Sequence, residues 1–209
     1  MRSTYNRAAG QNRERLAALS DGVFAVAMTL LVLDLHAPAA EAIHSERDLL
    51  AALALLAPRL ATYLMSFLTL GIFWVGQQVQ LDRLVRSERD LTWIHIAFLF
   101  AVTLIPFSTA LLAEHITYRV ALLVYWSNIL LLGALLYWTW SCAVKAGLVR
   151  DDTPPEVIAA ICRRILIAQL LYAFGAALCV FSTYWSIAFI ALVQLNYAMA
   201  LSDRILSRR

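Results

Sequence analysis

Arg15-Leu-Ala-Ala-Leu19-Ser20-Asp21-Gly22-Val-Phe-Ala-Val26-Ala-Met-Thr29-Leu30-Leu-Val-Leu33-Asp34 is an apolar run interrupted by a serine, an aspartate and a threonine. About 20 apolar residues in a helix cross a bilayer's hydrocarbon core, so the run reads as a membrane span over about residues 16–36. Asp21 is its unusual member. A carboxylate at the centre of a span costs about 2.5–3.5 kcal/mol on insertion scales. Near a span end the cost is smaller, and such residues face protein or a cavity and have a partner. Two readings stand side by side: Ser20 or Asp21 caps a helix start, or both join a packed polar network. At about 100° per residue, Gly22, Val26 and Leu33 fall within roughly 20° of Arg15. Thr29 and Leu30 flank that line, and Ser20 and Asp21 lie more than about 120° away. Arg15 and Asp21 are therefore poorly placed to pair with each other, and their partners belong on other helices. The stripe Val26–Leu30–Leu33 with Thr29 is left to face a helix, lipid or, if several copies surround an axis, a pore.

Five further runs follow: Leu60–Val79, Thr92–Leu112, Ala121–Val144, Ile158–Phe181 and Tyr184–Ala200. The second extends outward through Leu49–Leu56, with a kink expected at Pro58. None shows the alternation of barrel strands, and in lipid a helix satisfies its own backbone. The expected architecture is an all-α integral membrane protein of six transmembrane helices. It forms a single domain over residues 1–209, whose last span covers about 184–203. The composition agrees: 62% of residues are hydrophobic and 15% charged, against about 25% charged in soluble domains. A soluble enzyme or nucleic-acid binder is excluded on that ground. The apolar run after the basic N-terminal stretch is too long for a cleaved leader, so it is read as a retained span. Cys142, Cys162 and Cys179 are odd in number and lie in or beside apolar stretches, which argues against a disulfide framework.

Charge placement sets the expected orientation. Arg2, Arg7, Arg13 and Arg15 precede the first span, and Arg83, Arg86 and Arg89 follow the second. Lys145, Arg150, Arg163 and Arg164 follow the fourth, and Arg204, Arg208 and Arg209 end the chain. Only Arg47, Arg59 and Arg119 fall on the opposite side. The alternation places both termini in the cytoplasm of a multi-pass cell-membrane protein. Asn128, Gln169, Gln194 and Asn196 at membrane depth are read as interhelical hydrogen-bonding groups. The histidines show no metal-ligand spacing. His95, just inside the third span, is a candidate partner for Asp21. No nucleophile–base pair, phosphate loop or metal cluster appears, so no enzyme activity and no cofactor are expected.

The segment Arg15, then Leu19-Ser20-Asp21, resembles the first-span signature of the endosomal/lysosomal potassium channels, the transmembrane protein 175 family. That signature is an arginine, three residues, then Phe-Ser-Asp. Gly71-Ile-Phe-Trp74 and Leu104-Ile-Pro106-Phe-Ser-Thr109-Ala-Leu-Leu-Ala-Glu114 are also similar to that family. Leu19 stands for the signature's Phe. Gln77-Gln78 stand where many relatives have a His pair, and an amide can hydrogen-bond to Asp21 or Ser20 but cannot become cationic near neutral pH. The resemblance implies a leak-type channel permeable to potassium ions, a homotetramer with the first helix lining a central pore. It assigns Val26, Leu30 and Leu33 to an apolar constriction that acts as the filter, and Thr29 to the same wall. Arg15, Leu19, Ser20, Asp21, Trp74, Gln77 and Gln78 become the network that holds the first span. Two rival classes differ from it: a small proton-coupled transporter using Asp21, and a non-conducting membrane assembly protein.

Overall fold

The computed structural model describes residues 13–206 of the 209-residue chain, and side chains through residue 199. Arg2, Arg7, Arg204, Arg208 and Arg209, part of the charge alternation, lie outside the described side chains. In chain order the helices are α1 (Arg13–Leu30), α2 (Glu46–Leu55), α3 (Ala57–Asp82), α4 (Arg89–Thr103), α5 (Ile105–Glu114), α6 (Arg119–Lys145), α7 (Pro155–Ala177) and α8 (Thr183–Leu206). Five helical stretches are long and apolar enough to cross a membrane: Arg13–Asp34, Ala57–Asp82, Arg89–Glu114, Arg119–Lys145 and Pro155–Val180. Each coincides with a run read from the sequence. The sixth run falls on α8. Among the described residues there is no strand beyond a single antiparallel bridge.

Three breaks interrupt these runs. Pro58 does not kink a long second span. It occupies the first turn of α3, where its missing N–H costs nothing, and the outward extension is the separate helix α2. That helix is capped by Ser45, whose Oγ accepts from the Asp48 N–H at 3.2 Å while donating to Asp48 Oδ2 at 2.8 Å, and Asp48 Oδ2 also accepts from the His44 N–H at 3.2 Å. Pro106 divides the third run into α4 and α5, because a proline inside a helix cannot donate to the carbonyl four residues back. The first run ends in a 3-10 turn, Leu31–Asp34.

The core is a bundle. α1 packs on α3 and α4, α6 packs on α4, α5 and α7, and α8 closes against α3 and α7. One face of α1 (Leu16, Ser20, Phe24, Ala27), continued by Leu31 of the turn that follows, is buried, at the four- and three-residue intervals that repeat a helix face. On α3 the buried line runs Thr62, Ser66, Thr69, Phe73, Gln77, Gln80. Phe24, Phe73 and Phe98, one from each of α1, α3 and α4, meet with ring centroids 6.1 and 6.4 Å apart and tilted planes, a favourable geometry for aromatic quadrupoles.

At the end of the bundle where α1 begins, two connections are tied together. The Val85 N–H donates to the Leu148 carbonyl and the Arg150 N–H to the Arg83 carbonyl, each at 2.9 Å. The Arg13 guanidinium donates to the Leu84 carbonyl at 2.9 Å. Leu16, Leu81, Leu84, Leu91, Ala143 and Leu148 form a small apolar cluster here. Gly147 supplies the positive φ, 64°, that turns the chain out of α6. The basic segments around Arg13, Arg83 and Arg150 thus share one end of the bundle.

Candidate functional site

One helical turn from the phenylalanine layer lies a polar layer built by the same three helices. Ser20 on α1 is fully buried. Its Oγ lies 2.8 Å from the Leu16 carbonyl, 2.7 Å from His95 Nε2 on α4, and 3.1 Å from Gln77 Nε2 on α3. A hydroxyl has one proton and two lone pairs. If the proton goes to the Leu16 carbonyl, which can only accept, then Gln77 and His95 must both donate to Ser20. Satisfying all three contacts therefore puts a hydrogen on His95 Nε2. Every hydrogen-bonding position of the Ser20 hydroxyl is then filled.

Asp21 sits beside this layer on the exposed side. Its Oδ1 accepts from Trp74 Nε1 at 2.8 Å and from Gln78 Nε2 at 2.7 Å. These are charge-assisted bonds, about twice as strong as neutral ones. The expectation that Asp21 finds its partners on another helix holds, and both come from α3. His95 differs from expectation: it bonds to Ser20. Ser20 and Asp21 lie inside α1, which begins at Arg13, so neither caps its start. Arg15 lies near that start and is exposed. Leu19 is half exposed and takes no part in the polar contacts; it borders an apolar groove of about 410 Å³ that it shares with Gly22, Val26, Leu30 and Thr103. Thr103 is the last residue of α4, next to the Pro106 break.

The stripe of α1 opposite the buried face is uncovered within the subunit: Val26 is 57% exposed, Leu30 43% and Leu33 66%. The line is not straight. A 3-10 turn advances about 120° per residue, so over Leu31, Val32 and Leu33 it departs by roughly 60° from α-helical spacing. Val32 joins the exposed set as a result. Thr29 is exposed, and its hydroxyl donates back to the carbonyls of Ala25 and Val26 at 3.0 and 2.9 Å. With its hydrogen engaged, it presents oxygen lone pairs outward.

A second polar cluster lies deep in the subunit. Thr69 Oγ1 lies 2.9 Å from the Met65 carbonyl and 3.0 Å from the Tyr125 hydroxyl, and receives Gln194 Nε2 at 2.6 Å. Its proton is taken by the carbonyl, so Tyr125 donates to Thr69. The Tyr125 hydroxyl accepts from Ser66 at 3.2 Å, and Ser66 accepts from Thr109 at 2.7 Å. Asn128 donates to Ser108 at 3.3 Å. The sequence carried a signal: Thr62, Ser66 and Thr69 recur at helical spacing inside an apolar run. Of the four amides expected to bridge helices, Asn128 and Gln194 do so, while Asn196 is exposed. Gln169 lies against Gly133, where any side chain would collide with its amide. The cysteines are free. Among the described residues no cluster of His, Cys, Asp or Glu could hold a metal ion.

Residues 15–106 match the family model described as endosomal/lysosomal potassium channel TMEM175. The chain is 29% identical over 189 residues to a potassium channel of Chamaesiphon minutus, an alignment covering 88% of this chain and 93% of that one. It is 39% identical over 102 residues to a potassium channel of Streptomyces collinus, covering 49% of this chain and 48% of that one, so this match spans about half of the relative's length. The fold superposes on the crystal structure of a lysosomal potassium-selective channel TMEM175 homologue from Chamaesiphon minutus with a TM-score of 0.78 and 28% identity. That superposition covers 90% of this chain and 97% of the other.

Proposed function

Because this chain is a prokaryotic-type member of the TMEM175 family, we propose that it is a potassium-permeable, leak-type channel. In this reading it is a homotetramer of six-span units, both termini are cytoplasmic, and four copies of α1 surround the axis. Val26, Leu30 and Leu33 form the apolar constriction, and Thr29 turns its oxygen toward the passing ion. The observation that carries this reading is the division of α1. One face is buried and hydrogen-bonded into its own subunit, and the other, Val26–Leu30–Leu33, is apolar, exposed and bordered by an open groove.

An apolar ring binds no ion tightly and works as a dehydration barrier, as hydrophobic constrictions that gate by dewetting do. Potassium holds its water less tightly than sodium, so such a barrier favours potassium. There is no Thr-Val-Gly-Tyr-Gly loop in the chain to supply carbonyl rings. The Ser20–Gln77–His95 layer and the bonds from Trp74 and Gln78 to Asp21 act as positioning contacts that fix the rotation of α1 about its own axis. That rotation decides which side chains reach the ion path.

The test is reconstitution into planar bilayers under a potassium–sodium gradient. The expected result is unitary currents with a reversal potential displaced toward potassium. The Val26→Ile variant should narrow the neck, lower the conductance and raise the selectivity. Absence of current from the folded tetramer, or a variant identical to wild type in both quantities, overturns the reading.

A further inference from the structure

The flank formed by α7 and α8 carries charges that the helix bundle does not use. Arg163 and Arg164 are exposed on α7. Among the described residues no carboxylate pairs with either. Arg164 is held by α8: its guanidinium carbon lies 5.6 Å above the centre of the Tyr197 ring, within cation–π range. Arg163 heads a line that continues through Ile167, Leu170 and Phe174. These positions are four, three and four residues apart and therefore share one face, and all three apolar side chains are exposed. Phe174 is braced edge-on by Phe189 of α8, with ring centres 5.2 Å apart.

Dimensions decide what fits this face. From Arg163 to Phe174 the helix rises about 16 Å, roughly half of the ~30 Å hydrocarbon core and so about one leaflet. From Ile165 to Val180 the apolar part of the span rises about 24 Å, somewhat less than the core. These lengths put the two arginines near the edge of the hydrocarbon core, from which long cationic side chains extend outward to the headgroup region. The main neighbours of α7 are α6 and α8, whereas α1 packs on α3 and α4, so this face is turned away from the first span.

We propose that Arg163 and Arg164, with the Ile167–Leu170–Phe174 stripe below them, bind an anionic phospholipid of the leaflet on the arginine side. Arg163, at the head of the stripe, receives the phosphate with the forked donors suited to it, and Arg164 on the neighbouring face adds positive charge. One acyl chain lies along the stripe. Net negative charge is the selective feature, since two cations with no carboxylate partner at the head of an apolar stripe complement an anion better than a zwitterion. The site does not depend on ion conduction.

The test uses the purified wild-type protein in detergent with phosphatidylglycerol or phosphatidylcholine added. Retained lipid is counted by native mass spectrometry, and stability is followed by thermal melting. Wild type should retain phosphatidylglycerol preferentially and melt higher with it. The preference should fall about fivefold for each arginine removed, at the typical strength of a basic residue near an anionic membrane surface, in Arg163→Gln and further in Arg163→Gln/Arg164→Gln. Arg163→Lys/Arg164→Lys should keep most of it, as should Arg150→Gln on the nearby connection. Arg163 makes no intramolecular bond among the described residues, so Arg163→Gln serves as the folded variant if the double one is unstable. Glycerol phosphate, a head without chains, should produce no stabilisation. An undiminished preference in Arg163→Gln, an equal loss in Arg150→Gln, or stabilisation by glycerol phosphate overturns the proposal. So does a second copy of the chain covering this face.

Discussion

The two faces of α1 are made of the same kinds of residue and behave differently. On one, Leu16, Phe24, Ala27 and Leu31 are buried and Ser20 is fully hydrogen-bonded. On the other, Leu19, Val26, Leu30 and Leu33 are exposed, and the first three border a groove. Composition does not distinguish them. Partners do: the first face meets α3 and α4, and the second is left for something outside the subunit. Hydrophobicity alone therefore says that a span is in a membrane, while the position of its few polar groups says which way it is turned.

The sharpest way to break this comparison is a matched pair of truncations. Phe24→Ala opens a cavity in the aromatic layer and should cost about 3 kcal/mol, at the low end for buried phenylalanine, read as a fall in the detergent unfolding midpoint. Leu30→Ala on the opposite face should leave subunit stability within about 0.5 kcal/mol, as surface substitutions do. Equal losses would erase the distinction between the faces.

Asp21→Asn weakens the bonds from Trp74 and Gln78 by removing the charge. The expected cost is about 2 kcal/mol, the scale of a hydrogen bond to a charged group, seen as poorer assembly. A variant that assembles normally but loses proton coupling in a flux assay would instead favour a carrier built on Asp21.

Tyr125→Phe tests a cluster remote from both faces. It should cost about 1 kcal/mol, within the range for interhelical hydrogen bonds in membranes, without altering the ion reversal potential. The smallest effect on stability belongs to Val26→Ile, within about 0.5 kcal/mol, although it should move conductance and selectivity.

Much of this was legible in the sequence. Span positions followed from apolar length, and the off-helix partners of Asp21 followed from its angle to Arg15. What escaped has physical reasons. Periodicity assumes one helical pitch, so it could not register the change at Leu31–Asp34, where the turn tightens. Pro106 sits inside an otherwise unbroken apolar run, so apolar length alone does not register the missing N–H that separates α4 from α5. His95 is a candidate partner for Asp21 in the sequence, yet Ser20 points to α4 and Asp21 to α3. The hydroxyl cluster around Tyr125 joins four helices far apart in sequence, and one chain read alone does not pair them.

The bonds that join the Arg83–Val85 connection to Leu148–Arg150 run from main chain to main chain. Even the contact from Arg13 is received by a backbone oxygen. Such a joint is indifferent to which side chains hang from it and sensitive to how many residues lie between its ends. Substitutions in these two loops should therefore be absorbed easily, apart from the leucines beneath and Gly147. Insertion or deletion of one residue would shift the pairing and cast off the foot of the first helix.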